Sequence, residues 1–186
     1  PDLLIFDLIK NAFATTCYDG QNFFDADHPV GNGAQGQVVS VSNFQGGAGT
    51  PWYLLDTSRA VKPFIFQKRR DYHLVRKERD EDDNVFIENE YVYGVDSRAN
   101  VGVGLWQLAY VSKETLDGAH YASARAAMMS LKDDAGKPLG IVPDTLLVPP
   151  ALESAGRRLL NSENGTGGET NEWKGTAKLI MSPYLA

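Results

Sequence analysis

Trp52-Tyr53-Leu54-Leu55-Asp56-Thr57-Ser58-Arg59-Ala60-Val61-Lys62-Pro63-Phe64-Ile65-Phe66-Gln67 is the stretch from which the rest of the chain is best read. Trp52–Leu55 is a run of bulky apolar residues too short for a stable helix, and it reads as a strand. Residues 61–66 read as a second strand. Pro63 has no N–H to give to a ladder, so it belongs at an edge or a bulge.

On the N-terminal side, Leu3, Leu4, Ile5, Phe6, Leu8, Ile9, Ala12 and Phe13 crowd more than one face of a helix, with Asp2 as its cap. Such a helix is expected to be buried, against the rest of the fold or against sequence upstream. Asp19-Gly20 is a turn signal. Residues 29–51 are rich in Gly, Asn, Gln and Ser around Val38, Val39 and Val41, and read as a loop able to form a hairpin.

On the C-terminal side, residues 68–84 hold six basic and six acidic side chains, basic mostly first and acidic mostly last. Residues 85–95 read as a strand, with Tyr91, Tyr93 and Val95 on one face and Val92 on the other. Gly102 and Gly104 alternate with apolar residues, which lets another backbone come close. A helix is expected from Ser112 to about Leu131, striped by Leu116, Tyr121, Ala124, Met128 and Leu131. Asp134–Pro138 is a turn. Thr145–Val148 is a short buried strand, Pro150 opens a helix to about Leu160, residues 161–175 are loop, and 177–181 form a last strand. Trp106, Leu108, Leu147 and Val148 are expected in the core, on strands. There is no internal repeat and no sharp linker. Residues 1–186 read as one unit of mixed α+β class, with a strand-rich part (1–111) and a helix-strand-helix part (112–186).

Composition narrows the function. The chain has 186 residues, 42% hydrophobic and 23% charged, with a formal net charge of −6. These are the proportions of a globular domain, not of a disordered tail or coiled coil. No run approaches the roughly 20 apolar residues of a membrane span. The single cysteine, Cys17, permits no internal disulfide. An acidic chain grips nucleic acid poorly, since phosphate affinity comes from clustered Lys and Arg. The chain starts at Pro1 without a charged n-region and apolar h-region, so it does not read as a signal peptide. A processed or shortened chain is expected.

Candidate chemistry is thin. Gly31-Asn32-Gly33-Ala34-Gln35-Gly36 has the dinucleotide-loop spacing, but Asp27-His28-Pro29 precedes it and an alternating Val38-Val39-Ser40-Val41 segment follows, where a strand and a helix are needed. Asp25, Asp27 and His28 are metal-ligand types, yet a site needs three or four fixed ligands; a polar turn explains them as well. Nothing around Cys17 resembles an activated thiol. G-x-S-x-G, H-E-x-x-H, Walker A and C-x-x-C patterns are absent. Asn164-Gly165-Thr166 has the glycosylation spacing only. No cofactor and no metal is expected. An enzyme with a polar site near Asp25, Asp27, His28 and His73, or a ligand-binding domain using Trp52, Tyr53 and Trp106, stays open as an alternative.

The charge run is the feature most in need of explanation. It is either a solvated hairpin whose halves pair with each other, or an arm whose basic residues (Lys68, Arg69, Arg70, Arg76, Lys77, Arg79) meet the acidic tract (Asp80, Glu81, Asp82, Asp83) of a neighbouring copy.

Several stretches together resemble one family. Cys17–Asp25 with Asp27-His28-Pro29-Val30, the stretch Trp52–Gln67, Asp82 through Val85-Phe86 and Tyr93-Gly94, Gly104–Ala109, and Leu139–Pro143 with Leu147–Glu153 are similar to the gpT family of major head proteins of Mu-like phages and prophages. The resemblance implies a tailed-phage major capsid fold of the Hong Kong phage type, entered at the end of a spine-type helix, with the N-terminal arm and the extended loop absent. It implies a structural, non-enzymatic subunit that self-assembles into an icosahedral shell. Its implied partners are copies of itself, and scaffold, protease and portal proteins during assembly. Packaged DNA is only weakly contacted, and no membrane is involved. The implied location is the virion head, assembled in the bacterial host cytoplasm.

Overall fold

The computed structural model describes residues 2–32, 37–165 and 167–186. In chain order the helices are α1 (Asp2–Lys10), α2 (Asp83–Glu88), α3 (Gly118–Met129) and α4 (Glu153–Asn161). The strands are β1 (His28–Asn32), β2 (Gln37–Val41), β3 (Phe44–Gln45), β4 (Trp52–Leu55), β5 (Phe64–Lys77), β6 (Val92–Val103), β7 (Ala109–Ser112), β8 (Thr145–Val148) and β9 (Lys178–Met181).

The apolar four-residue runs do form the buried centre. A mixed sheet has the order β3-β7-β4-β8-β9; β4 is antiparallel to β7 and β8, while β3 and β9 add parallel edges. Tyr53 faces Val111 on one side and Leu147 on the other. Every residue of β4, β7 and β8 is buried, the pattern of strands covered on both faces. α3 packs on β7, and α4 on β8 and β9. Gly156 of α4 permits that approach: a Cβ there would lie 2.7 Å from Leu179 Cδ1. The sheet takes strands from both sides of position 111/112, which itself falls inside β7.

A second group of aromatics ties α1 to the sheet and to the start of β5. Phe13, Phe23, Phe24, Tyr53 and Phe64 form a chain of ring contacts with centroids 5.0–5.7 Å apart. These edge and tilted geometries add to what burial alone supplies.

Several sequence expectations hold. Trp106, Leu108, Leu147, Val148 and the stripe Leu116, Tyr121, Ala124, Met128, Leu131 are buried. Gly104 is where two backbones meet: a Cβ would lie 2.1 Å from the Lys62 carbonyl oxygen. β1 and β2 pair antiparallel, His28 opposite Val41 and Asn32 opposite Gln37. Others are corrected. Ser112 is not a helix start but the buried end of β7; α3 begins at Gly118, because Asp117 accepts the His120 N–H at 2.9 Å and caps it. Trp106–Leu108 is a 3-10 turn, not a strand. The strand expected over 61–66 starts only at Phe64, with Pro63 just outside it, and runs on through the charged residues to Lys77. The strand expected over 85–95 starts at Val92; the tract Asp83–Glu88 is helical and ends at Asn89, which takes the left-handed conformation (φ 54°) that asparagine tolerates. Asp2 lies in the first turn of α1, and Leu3 and Leu4 are exposed, so that helix is buried on one side only.

Candidate assembly surface

Among the described residues β5 and β6 pair only with each other, in a long two-stranded ribbon whose register shifts between Lys68 and His73. Phe64, opposite Val103, is buried at the ribbon's base, and nearly everything beyond is exposed. Side chains directly opposite share a face. One face therefore carries Leu74 with Val95 and Arg76 with Tyr93; the other carries His73 with Asp96 and Lys77 with Val92. This is the face division read for Tyr93, Val95 and Val92; Tyr91 stands just before β6.

The charged residues are placed in order along the ribbon. Lys68, Arg69, Arg70, Arg76 and Lys77 line β5, with Asp71 as its one carboxylate. Glu78, Asp80, Glu81, Asp82, Asp83, Glu88 and Glu90 crowd the tip around Arg79. The shaft is thus basic and the tip acidic. Among the described residues no ion pair joins the basic side chains to Asp80, Glu81, Asp82 or Asp83, and Glu78 is the one acidic tip residue that pairs with the shaft. Instead Arg70 pairs with Asp96 across the ribbon, Lys68 with Asp71 at 2.8 Å, and Arg76 with Glu78 at 3.4 Å. The hydrogen bond from Lys68 holds the Asp71 carboxyl below its usual range. Tyr93 donates to Glu78 at 3.1 Å, and that bond pushes the phenol up.

The tip has its own order. Asn84 Nδ2 donates to the carbonyls of Lys77 and Glu90, clasping the two strands, and the Arg79 N–H donates to Asp82. The amide of Asn84 is a bridging group that the charge pattern concealed. The clasp leaves Phe86 82% exposed and Ile87 74% exposed.

The polar residues near β1 do not converge on a site. His28 is buried, stacked on Trp106, and its Nδ1 meets Asp19 Oδ2 at 2.7 Å. Asp27 bonds to Ser40, and Asp25 accepts from the Ala26 N–H. His73 lies far along the ribbon, opposite Asp96. No group of three or more metal-ligand side chains exists among the described residues. Trp52, Tyr53 and Trp106 are core, and burial pushes the Tyr53 phenol up to about 12. Burial also pushes up the Cys17 thiol, which points at the Gly104 carbonyl. The glycine-rich motif lies mostly outside the described residues, as does Thr166 of the Asn164-Gly165-Thr166 pattern. No helix among the described residues is long and apolar enough to cross a membrane.

The family model for the Mu-like prophage major head subunit gpT matches residues 1–185. The chain belongs to that family. It is 43% identical to the major capsid protein of Escherichia phage Mu, covering 100% of this chain and 63% of the relative. It is 39% identical to the FluMu prophage major head subunit of Haemophilus influenzae, again covering 63% of that protein. A chain of the bacteriophage JBD30 procapsid superposes with a TM-score of 0.85 at 40% identity, over 99% of this chain and 63% of that one. A chain of the JBD30 capsid gives 0.84 at 24% identity, a likeness of fold. The fold is therefore that of a phage capsid protein, with mixed helices and sheets. The chain spans about 63% of the length of these gpT-type relatives. These relatives are named as major capsid and head subunits, which favours a structural family over the enzyme alternative.

Proposed function

We propose that this chain is the shell-forming part of a phage or prophage head subunit, and that its β5–β6 ribbon carries contacts between neighbouring copies in an icosahedral shell around DNA. The observation that carries this is the ribbon's exposed, charge-segregated surface. A two-stranded ribbon on its own is marginal in water, and this one leaves Tyr72, Leu74, Val75, Tyr91, Val92, Tyr93 and Val95 uncovered. Within the chain, an exposed pair such as Arg70–Asp96 contributes only about 0–1 kcal/mol. Between copies, Lys68, Arg69, Arg70, Arg76, Lys77 and Arg79 facing Asp80, Glu81, Asp82 and Asp83 set register and exclude wrong partners. Such a contact is head-to-tail, so a closed rotation makes rings and shells from one repeated interface. The likeness to the JBD30 procapsid and capsid chains supports the reading.

Residues 1–186 act as one unit in this proposal, since the central sheet needs strands from both ends of the chain. Scaffold, protease and portal proteins are the proposed assembly partners, in the host cytoplasm, with the virion head as destination. A net charge of −6 gives little grip on packaged DNA. Electron microscopy of the complete gene product, expressed alone and with the assembly proteins of its phage, tests the proposal. Closed shells are expected there, and monomers or small oligomers from the 186 residues alone. Absence of ordered particles in every combination overturns it.

A further inference from the structure

A groove of about 320 Å³ opens at the foot of the ribbon, lined by Arg59, Val61, Leu105, Gln107, Leu108, Leu139 and Ile141. Its walls are apolar, and two of them face solvent: Val61 is 48% exposed and Leu105 41%. The volume is at the small end of ligand pockets, suited to one or two anchoring side chains. Its outer charges are cationic. Arg59 is fixed there by the carbonyls of Leu139 (2.9 Å) and Gly140 (2.6 Å) and pairs with Asp56 at 3.7 Å; Lys62, three residues on, is bonded to the Thr57 carbonyl. The nearby carboxylate, Asp56, is buried and held by Ser58 and the Val142 N–H.

The ribbon tip is complementary in each respect. Phe86 and Ile87 project from α2 as the two most exposed large apolar side chains among the described residues, with Asp82, Asp83, Glu88 and Glu90 close by in sequence. We propose that the Phe86–Ile87 tip of one copy seats in the Val61–Leu105–Ile141 groove of a second copy, with the acidic tip residues against Arg59 and Lys62. The copy's own tip is excluded as the occupant. Tip and groove lie at opposite ends of a paired ribbon whose twelve-residue strand β6 spans about 40 Å at roughly 3.3 Å per residue. An aromatic anchor in an apolar pocket with a charged rim is how small interfaces concentrate their binding energy. The same placement brings the acidic tract toward Lys68, Arg69 and Arg70, which follow closely on the groove residue Val61.

This inference rests on the ribbon being a contact between copies, and the test separates the two. The complete gene product carrying Phe86→Cys and Leu105→Cys together is assembled and oxidised, then run without reductant. Inter-chain disulfide ladders are expected at least about tenfold above those of a Phe86→Cys/Ser154→Cys control. Val61→Cys replaces Leu105→Cys if the latter lowers the melting temperature. In parallel, Phe86→Asp is expected to leave the melting temperature unchanged and to cut particle yield at least about tenfold. Ladders no stronger than the control, or wild-type particle yield from Phe86→Asp, overturn the socket. If Arg69→Glu/Arg70→Glu still impairs assembly in that case, the ribbon contact stands and only the groove assignment falls.

Discussion

His28 lies flat on Trp106, ring centroids 4.0 Å apart and planes 8° from parallel, while its Nδ1 meets Asp19 Oδ2 at 2.7 Å. This one stack joins the first residue of β1, the Cys17–Gly20 turn and the 3-10 turn before β7. It commits the Nδ1 of His28 to Asp19 rather than to Asp25 or Asp27.

Replacing His28 by Ala is expected to cost about 2–4 kcal/mol, from the lost stack and from a largely buried Asp19 left short of a partner. Asp27→Ala, which loses a bond to an exposed serine, stays within about 0.5 kcal/mol. Urea melts of both variants check this. Elemental analysis of the purified chain is expected to show no stoichiometric transition metal; about one ion per chain, lost in His28→Ala, contradicts it.

Met128 is a fully buried residue of α3, the helix that packs on β7. Met128→Ala is expected to cost about 2–5 kcal/mol, the transfer loss plus the cavity. A loss below about 0.5 kcal/mol in denaturant melts places the side chain outside the core.

Asp117 gives a pH signature. Burial pushes its carboxyl up, but the His120 N–H and the His120 ring, which bond to it, outweigh this and hold it below its usual value of 3.8. A folded value below the unfolded one means stability that is fully present above about pH 4 and is lost as pH falls through the folded value. Asp117→Ala is expected to cost about 0.5–1 kcal/mol at neutral pH, the low end for a cap because the side chain is nearly half exposed. Asp117→Asn keeps most of the cap and flattens the acid limb. Melts from pH 2 to 7 read both effects.

What the sequence made legible follows from local physics. Trp52–Leu55 and Thr145–Val148 were readable as strands because short runs of bulky β-formers leave few other options. Gly104 and Pro150 were readable because their backbone demands are specific. The start of α3 was misread because Ser112 and Asp117 are both capping residues, and only strand pairing with Trp52 decides between them. Val85-Phe86-Ile87 looked like strand from its β-propensity; the helical turn there depends on the Asn84 clasp and the Asn89 cap, which no periodicity announces. The charge run was legible as an arm. That its basic residues line the shaft and its acidic residues crowd the tip was not, since pairing partners at residues 92–103 carry few charges to reveal the register. The groove at the ribbon's foot joins residues 59–61, 105–108 and 139–141, too distant in sequence for any local pattern.

The contact between copies through the ribbon is the centre of the account, and a charge exchange tests it most directly. One form of the complete gene product carries Arg69→Glu and Arg70→Glu. A second carries Asp80→Lys and Asp83→Lys, which spares Asp82 because its carboxylate holds the Arg79 N–H. Neither change touches the core, so melting temperatures are expected to stay near wild type. Each form alone is expected to assemble poorly at 0.01 M salt, where charges act over about 30 Å. Mixed, they are expected to recover particles by electron microscopy. Wild-type assembly by either form alone at low salt contradicts the account, and leaves the ribbon a solvated hairpin.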